Sequence, residues 1–260
     1  MPPPQEQQQQ QTHRPQGGGR RPRPPPAPPP PPMAYSDDMV AFYDAWVGRE
    51  EQIAADLAAA LALPPRPRRD ALAPLVGAAV DHVAAYYEHK ARLADRDVVA
   101  ALDPRWLNPL ERTFLWAWGW KPALVFRFVE SAGGGEGGMG PAQRRALEEL
   151  RAATAAAERG VDREVAAAQE SLAGPRVLAA LRRQAPRNGS GEAADDAVAA
   201  VGRSLRVLLG AADALRERTL RGVVGLLAPD QAGAFLAAML RFHLAVRRAG
   251  RDWSPGHRGV

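Results

Sequence analysis

Two long stretches in the C-terminal half of the chain repeat apolar residues at steps of three and four, and they constrain the fold more than any other feature. This spacing places apolar side chains along one face of an α-helix. The stretches run from Leu147 to Leu172 and from Val198 to Leu226, and no alternating strand pattern of useful length occurs in the chain. We therefore predict an all-α fold, a multi-helix bundle whose many alanines allow close helix approach.

Capping and breaking residues predict two further helices in the N-terminal half. Ser36 is the N-cap of a first helix, which ends before Pro64 and Pro65 because proline interrupts the helical hydrogen bonds. A second helix is predicted from near Asp70 to Leu102, with a kink allowed along its length. Its predicted buried residues are Leu72, Val76, Val80, Val83 and Tyr87.

The remaining elements are predicted from proline and glycine positions. A short helix begins at Gly174-Pro175 and runs to about Gln184, and a polar loop follows over residues 186–191. The last helix begins at Pro229-Asp230. Its predicted inward-facing residues are Phe235, Met239, Phe242 and Val246.

The N-terminal segment has a different composition from the rest of the chain. It contains a glutamine run, three glycines and a proline tract over 24–32, a composition that cannot bury a core. We predict a disordered tail over 1–35, with Met33 as an alternative start, and a helical domain over 36–253. Within the domain, 132–140 is predicted to be a flexible glycine-rich loop, and 254–260 a C-terminal tail.

Composition excludes several classes of protein. The chain has no cysteine, which excludes disulfides, thiolate catalysis and cysteine-ligated zinc. No apolar run is long enough to span a membrane, and the N-terminus lacks the apolar core of a secretory signal. The net charge of +5 includes four arginines against one glutamate in the first 32 residues, so the remainder is nearly balanced. We expect an intracellular protein, nuclear or cytoplasmic or both.

The segment from Asp97 to Pro122 contains four of the six tryptophans together with strong helix signals. Asn108, Pro109 and Glu111 predict the N-cap, first position and capping-box partner of a short helix. That helix is predicted to carry Phe114, Leu115 and Trp118 on one stripe and to end at Gly119, after which Lys121-Pro122 begins another helix.

This segment, with the turn before it and a second block near residue 215, resembles the plant delay-of-germination domain, which is shared with the C-terminal half of TGA-type leucine-zipper transcription factors. The resemblance covers about residues 39–253 and includes the pattern of Trp, Pro-x-Glu-Arg, Phe-Leu-Trp and Gly-Trp-Lys-Pro. The residues that carry it, which we expect to be mainly structural, are Tyr87, Lys90, Asp97, Trp106, Pro109, Glu111, Arg112, Leu115, Trp116, Gly119, Trp120, Lys121, Pro122, Asp213, Leu215, Arg216, Thr219 and Leu220.

The resemblance implies a non-enzymatic plant developmental regulator that acts as a protein-interaction scaffold. It links the chain to transcription regulation and to the control of seed dormancy and germination, while a second branch of the family implies pollen aperture formation. Its partners would be other proteins, including a second copy of itself. TGA-type factors bind DNA through a basic leucine zipper, and a proline tract stands at that place here, so no direct DNA binding is expected.

Few residues suggest catalysis or a cofactor, and we predict no enzyme activity, no cofactor and no metal. His82 and His89 are seven residues apart, about 10 Å along a helix, which is too far for one metal ion. Because Asp81 and Glu88 flank them, they are interpreted as surface histidines. His243 lies beside Phe242 on an apolar helix, and it leaves open a haem or apolar-ligand sensor. The favoured interpretation of His243 is a partly buried, hydrogen-bonded side chain.

Two surfaces remain as candidates for binding. Trp116 and Trp118 cannot both point inward from one short helix, so at least one tryptophan of this segment is a candidate for exposure at an interface. The segment from Arg241 to Arg251 is basic on one side and apolar on the other, as calmodulin targets and membrane-surface helices are. The favoured interpretation is an apolar face docked in the bundle.

Overall fold

The computed structural model describes residues 39–132, 138–175, 178 and 192–251. The predicted tails, Met33, most of the glycine-rich loop, and the predicted short helix and polar loop after Pro175 lie outside these residues. The described part contains eight helices and no strand, which confirms the all-α prediction. The helices are α1 (Met39–Leu61), α2 (Pro65–Arg96), α3 (Val98–Leu102), α4 (Pro109–Thr113), α5 (Leu124–Ser131), α6 (Pro141–Leu172), α7 (Glu192–Leu226) and α8 (Pro229–Arg251).

The main hydrophobic core lies where α1, α2 and α8 meet, with α5 and parts of α6 and α7 packed around them. Large side chains from these three helices are almost completely buried there, each stabilising the fold by about 1.5–3 kcal/mol relative to exposure. Examples are Phe42, Ile53 and Leu57 of α1, Leu72 of α2, and Phe235, Leu236 and Leu240 of α8.

The second predicted helix differs at both ends from the observed one. It begins at Pro65 rather than near Asp70, because proline is accepted in the first turn, where its missing N–H has no helical partner. It also stops at Arg96 instead of continuing to Leu102. Asp97 is extended, with φ −148° and ψ 94°, and its carboxylate accepts a hydrogen bond from the Ala100 N–H, so it caps a separate helix α3.

Helix α4 has the predicted start but not the predicted length. The Asn108 side chain accepts from the Glu111 N–H, and the Glu111 carboxylate accepts from the Asn108 N–H, which confirms the capping box. The helix ends at Thr113, so the prediction that Phe114, Leu115 and Trp118 share a helical stripe was wrong. The chain instead continues as an irregular segment whose backbone carbonyls accept hydrogen bonds from side chains of other helices.

Helices α6 and α7 are the two long helices that the apolar periodicity predicts, and they pack antiparallel against each other. Thr154 and Thr219 meet across their buried interface, with hydroxyl oxygens 3.4 Å apart. Nearby, Gly222 allows close approach, since a Cβ there would lie 3.0 Å from the Leu150 side chain. The two helices therefore pack closely beside the core, and Thr219 of the second sequence block lies at their interface.

Helix α8 begins at Pro229 as predicted and buries Leu236, Leu240 and Leu244 on one stripe. Its apolar face is therefore docked in the bundle, as favoured from the sequence. Phe242 was predicted to face inward, but 42% of its surface is exposed, because it is two residues, about 200° of helical rotation, from both Leu240 and Leu244. No helix in the described ranges is long and apolar enough to cross a membrane.

The interpretation of His82 and His89 as surface residues was wrong, because both are buried. The His82 ring stacks on Trp46 at 4.3 Å, and the His89 ring stacks on Phe42 at 3.8 Å. Burial lowers the pKa of His82 to about 4, which keeps this ring neutral near pH 7. The two side chains therefore belong to the α1–α2 interface.

Candidate functional site at the tryptophan loop

The segment between α4 and α5, residues 114–123, is called the Trp loop here. Trp116 and Gly119 exchange two backbone hydrogen bonds, of 2.7 and 3.1 Å, around the two-residue turn formed by Ala117 and Trp118. Both turn residues have positive φ, 42° and 63°. Left-handed geometry costs a non-glycine residue about 1–2 kcal/mol, so this turn persists only if other contacts hold it.

Two buried cations hold the Trp loop by its backbone carbonyls. The Arg216 guanidinium donates to the carbonyl of Trp120 at 2.7 Å, to that of Ala117 at 2.9 Å and to that of Trp116. Lys90 donates to the Trp118 carbonyl at 2.7 Å. The two side chains therefore bind four carbonyls within five residues, which fixes the strained turn.

Asp213 links the two cations into what we call the anchor cluster, Lys90, Asp213 and Arg216. Its carboxylate lies 2.5 Å from an Arg216 nitrogen and 3.2 Å from the Lys90 nitrogen. Lys90 is completely buried, and this burial lowers its pKa to about 8, although Asp213 opposes the shift. A buried charge needs such partners, since an unpaired one strongly destabilises the fold.

Gly119 is required because of the same arginine. A Cβ at position 119 would lie 2.7 Å from the Arg216 Cζ and 2.8 Å from its Nε, closer than real atoms approach. Any side chain would therefore displace the guanidinium from the carbonyls that it binds. The role of this glycine is close approach, and not the helix C-cap predicted from the sequence.

Helix α6 holds the outer side of the Trp loop. The Trp116 indole N–H donates to Asp162 at 2.7 Å, and the Ala123 N–H donates to Glu158 at 2.7 Å. Lys121 lies 3.7 Å from the same Glu158 carboxylate. The Trp loop is thus bound from both α6 and α7.

A second buried network joins α1, α4 and α8, and we call it the histidine cluster. His243 lies at its centre, with Nδ1 2.7 Å from Glu50 and Nε2 3.1 Å from the Tyr43 hydroxyl. Tyr43 in turn donates to Glu111 at 3.0 Å, and Arg247 approaches the other Glu111 oxygen at 3.5 Å. Its members are Tyr43, Glu50, Glu111, His243 and Arg247.

Burial dominates the protonation chemistry of the histidine cluster. It raises the pKa of Glu50, which is 1% exposed, and it raises that of Tyr43 together with the nearby Glu111. Burial alone would lower the pKa of His243, but the adjacent Glu50 carboxylate outweighs it and raises the pKa. Each of these two side chains therefore favours the charged form of the other, against the effect of burial.

Half of the residues that carry the family resemblance lie at the Trp loop, either within it or in the anchor cluster that binds it. Lys90, Asp213 and Arg216 meet the Trp loop. The others have separate places. Asp97 caps α3, Trp106 donates to Tyr86 at 3.2 Å, and Pro109 opens α4. Glu111 belongs to the histidine cluster, Thr219 lies between α6 and α7, Leu215 is buried and Arg112 is exposed. Tyr87 and Leu220 line a cavity, together with Leu115 and Pro122 of the Trp loop.

Four aromatic side chains form a continuous surface that we call the aromatic patch, Phe114, Trp120, Phe128 and Phe242. Phe114 stacks on Trp120 at 6.0 Å, and Phe242 contacts Trp120 at 5.8 Å and Phe128 at 5.2 Å. Phe114 is 48% exposed, whereas the tryptophans of the Trp loop are all partly buried. The exposed rings are thus mainly phenylalanines.

Sequence reasoning missed Tyr43, Glu50 and Arg247 as members of a buried cluster. A signal was present for Glu50, because the apolar stripe of α1 passes from Trp46 to Ile53 with a gap that Glu50 fills. A charged residue on an otherwise buried face needs a partner.

Comparisons with known proteins give the family. A family model described as seed dormancy control (DOG1) matches residues 53–131, which include the whole Trp loop. Protein DOG1-like 4 of Arabidopsis thaliana is 34% identical over 68% of this chain and 76% of its own length. Protein RESPONSE TO ABA AND SALT 1 of the same plant is 30% identical over 82% of this chain and 94% of its own. The chain therefore belongs to the DOG1, or seed dormancy control, family.

Proposed function

We propose that this chain is a non-enzymatic regulator of seed dormancy and germination that acts as a scaffold for other proteins. The aromatic patch supports this proposal most directly. Exposed aromatic rings on a rigid support are typical of interface anchors, because they bury much apolar area at little entropic cost. Here Phe128 and Phe242 lie on helices α5 and α8, whereas Phe114 and Trp120 lie on the Trp loop, which the anchor cluster holds through four backbone carbonyls.

The charged residues of the two clusters favour a structural over a catalytic role. In the anchor cluster, Arg216 and Lys90 donate to carbonyls and to Asp213. In the histidine cluster, Tyr43 carries a raised pKa, which makes its hydroxyl a poor nucleophile. These groups bind one another, whereas an enzyme needs reactive groups directed at a substrate.

Several finer assignments belong to the same proposal. Control of transcription would be exerted through bound partners in the nucleus or cytoplasm, without DNA contact by this chain. Self-association through the same surface is a further form of scaffolding. Protein RESPONSE TO ABA AND SALT 1 is named for a response to ABA and salt, and we extend such a stress role to this chain as part of the proposal. Pollen aperture formation is the alternative process.

The test is affinity purification from developing seeds and from anthers. The bait is the full chain, compared with Phe114→Ala and Phe242→Ala, and the control is Val207→Ala on α7, because Val207 is 69% exposed and lies outside the aromatic patch. We expect a defined set of partners that the patch variants lose and the control keeps. Recovery of the same proteins by all baits would refute the patch as the interface, and the tissue that yields partners decides between the seed and pollen roles.

A ligand sensor is the second candidate function, favoured by a cavity of about 120 Å³ beneath the aromatic patch. Its haem form would need a free nitrogen on His243, yet one ring nitrogen faces Glu50 and the other faces Tyr43. Haem binding therefore requires Tyr43 to move away. A Soret band in the purified protein that disappears in His243→Ala would support the haem form, and colourless protein would count against it.

A further inference from the structure

The cavity lies between the Trp loop and helices α1, α2, α5, α7 and α8, and has a volume of about 120 Å³. Phe242 and Lys121 both line it and are both partly exposed, so the opening lies beside them. Trp46, Tyr86 and Trp120 supply aromatic walls. A dry protein cavity of about 150 Å³ accepts benzene, so this space suits a molecule with a single ring.

The charged residues that line the cavity are already paired with one another or with neighbours. Glu50, which is 1% exposed, lies 2.7 Å from His243. Arg216 is paired with Asp213, and Lys121 with Glu158. A charged ligand would find no free counter-ion and would lose its hydration, which is unfavourable. The walls therefore favour a neutral ligand.

Two hydrogen-bond donors on the walls remain open. Tyr87 and Trp120 both line the cavity, and within the described ranges neither the Tyr87 hydroxyl nor the Trp120 indole N–H has a hydrogen-bond partner. Neither atom is among the fully buried polar atoms without a partner in this part of the chain, so each remains open to cavity or solvent. An oxygen on a ligand can accept from either donor that faces the cavity.

We infer that the cavity binds a compact neutral aromatic molecule with one ring and one oxygen that accepts hydrogen bonds. The inference rests on the sensor candidate and adds the chemical class of the ligand. It can be tested apart from the scaffold proposal, because Phe114, the most exposed ring of the aromatic patch, does not line the cavity, although Phe242 does.

Benzyl alcohol is the probe, and benzoate is its charged counterpart. Titration of the full chain, followed by NMR of the tryptophan indole N–H signals, should show saturable binding of benzyl alcohol. Benzoate should bind at least about tenfold more weakly, because its carboxylate would be buried without a partner. Equal affinity for both probes, or no saturation with benzyl alcohol, would overturn the inference.

Two variants locate the binding. Val83→Phe fills the cavity from α2, and Val99→Phe adds the same ring at a residue that is 69% exposed and does not line the cavity. Binding should be lost in the first variant and kept in the second. Tyr87→Phe removes a single oxygen atom, so it should fold even if Val83→Phe does not. It should weaken the binding of benzyl alcohol by about two- to tenfold and leave the binding of benzene unchanged.

Each result also separates this inference from the scaffold proposal. If benzyl alcohol fails to bind while the Phe114→Ala and Phe242→Ala baits lose partners, only the ligand inference fails. If the probe binds and the patch variants keep all partners, only the patch interface fails. Binding that persists unchanged in a folded Val83→Phe variant places the probe elsewhere and contradicts the cavity assignment.

Discussion

The two buried polar networks differ in what their charged groups bind. In the anchor cluster, Lys90 and Arg216 donate hydrogen bonds to backbone carbonyls of the Trp loop, and Asp213 is their counter-ion. In the histidine cluster, His243 and its neighbours bind other side chains. The first network therefore determines a loop conformation, whereas the second joins three helices through groups whose protonation matters.

This difference predicts unequal sensitivity to substitution. A carbonyl that loses a donor inside the fold has no replacement partner, whereas side chains in a network of several members can rearrange. We expect substitutions in the anchor cluster to cost more stability and to disturb the Trp loop. Substitutions in the histidine cluster should cost less and should change the pH dependence of unfolding.

Replacing Arg216 should have the largest effect. Arg216→Ala removes the donors for three Trp loop carbonyls and leaves Asp213 with Lys90 alone, so the free energy of unfolding should fall by about 3–5 kcal/mol. Arg216→Lys should not restore it, because an ammonium cannot reproduce the planar fork. The measurement is urea unfolding followed by tryptophan fluorescence.

The matched control for Arg216 is an exposed arginine on the same helix. Arg221 pairs with Glu217 one turn away at 2.9 Å, and Arg221→Ala should change the free energy of unfolding by less than about 0.5 kcal/mol. Equal losses for Arg216→Ala and Arg221→Ala would show that the carbonyl contacts contribute little.

Gly119→Ala tests the same contact from the loop side. The added Cβ would meet the Arg216 guanidinium at 2.7 Å, so either the loop or the arginine must shift, at a cost of about 1–3 kcal/mol. Gly77→Ala is the control, because nothing lies within 4 Å of a Cβ there and alanine favours a helix. The midpoint of thermal unfolding should fall in Gly119→Ala and rise in Gly77→Ala. An unchanged midpoint in Gly119→Ala would mean that the guanidinium moves freely.

The sequence predicted the long helices and the starts of α4 and α8, because capping and periodicity are local properties, but it misplaced the start of α2 and missed α3. Asn108 and Glu111 are three residues apart and form the capping box as predicted. The turn at Ala117 and Trp118 was not predictable, because residues with a Cβ rarely adopt positive φ and the arginine that stabilises this turn is about a hundred residues away. Long-range contacts of this kind leave no local signal.

The candidate site was predictable only in part for the same reason. The resemblance named Lys90, Asp213 and Arg216 without indicating that they meet the Trp loop. His82 and His89 looked like surface residues because acidic neighbours flank them, yet each ring stacks on an aromatic residue of α1 and is buried. Stacking across two helices depends on their relative rotation, which the spacing within one helix does not give.

Glu111→Gln should have an intermediate effect, in the histidine cluster. The glutamine keeps the size of the side chain but loses the charge opposite Arg247 and weakens the acceptor for Tyr43 and the Asn108 N–H. We expect a loss of about 1–2 kcal/mol in the free energy of unfolding. Urea denaturation gives this value, and a loss as large as that of Arg216→Ala would erase the predicted difference between the clusters.

The smallest effect should appear in the pH dependence of stability. The pKa of His243 is raised in the folded state by Glu50, so its contribution is complete below the unfolded value of 6.5 and is lost as pH rises through the folded pKa. The raised pKa of Glu50 acts with the same sign, because the folded state again holds the proton more tightly. Unfolding free energies measured from pH 6 upward should therefore decline.

The titration of Lys90 changes the free energy of unfolding with pH in the opposite direction, which distinguishes the two clusters. Its pKa falls from 10.5 to about 8 in the folded state, so the folded protein binds fewer protons and the Lys90 contribution rises with pH between about 8 and 10.5. His243→Gln should change the decline above pH 6.5 and leave the rise above pH 8, whereas Lys90→Met should do the reverse. If either variant altered both slopes, the two networks would be one coupled system, and their separate roles in holding a loop and joining helices would have to be abandoned.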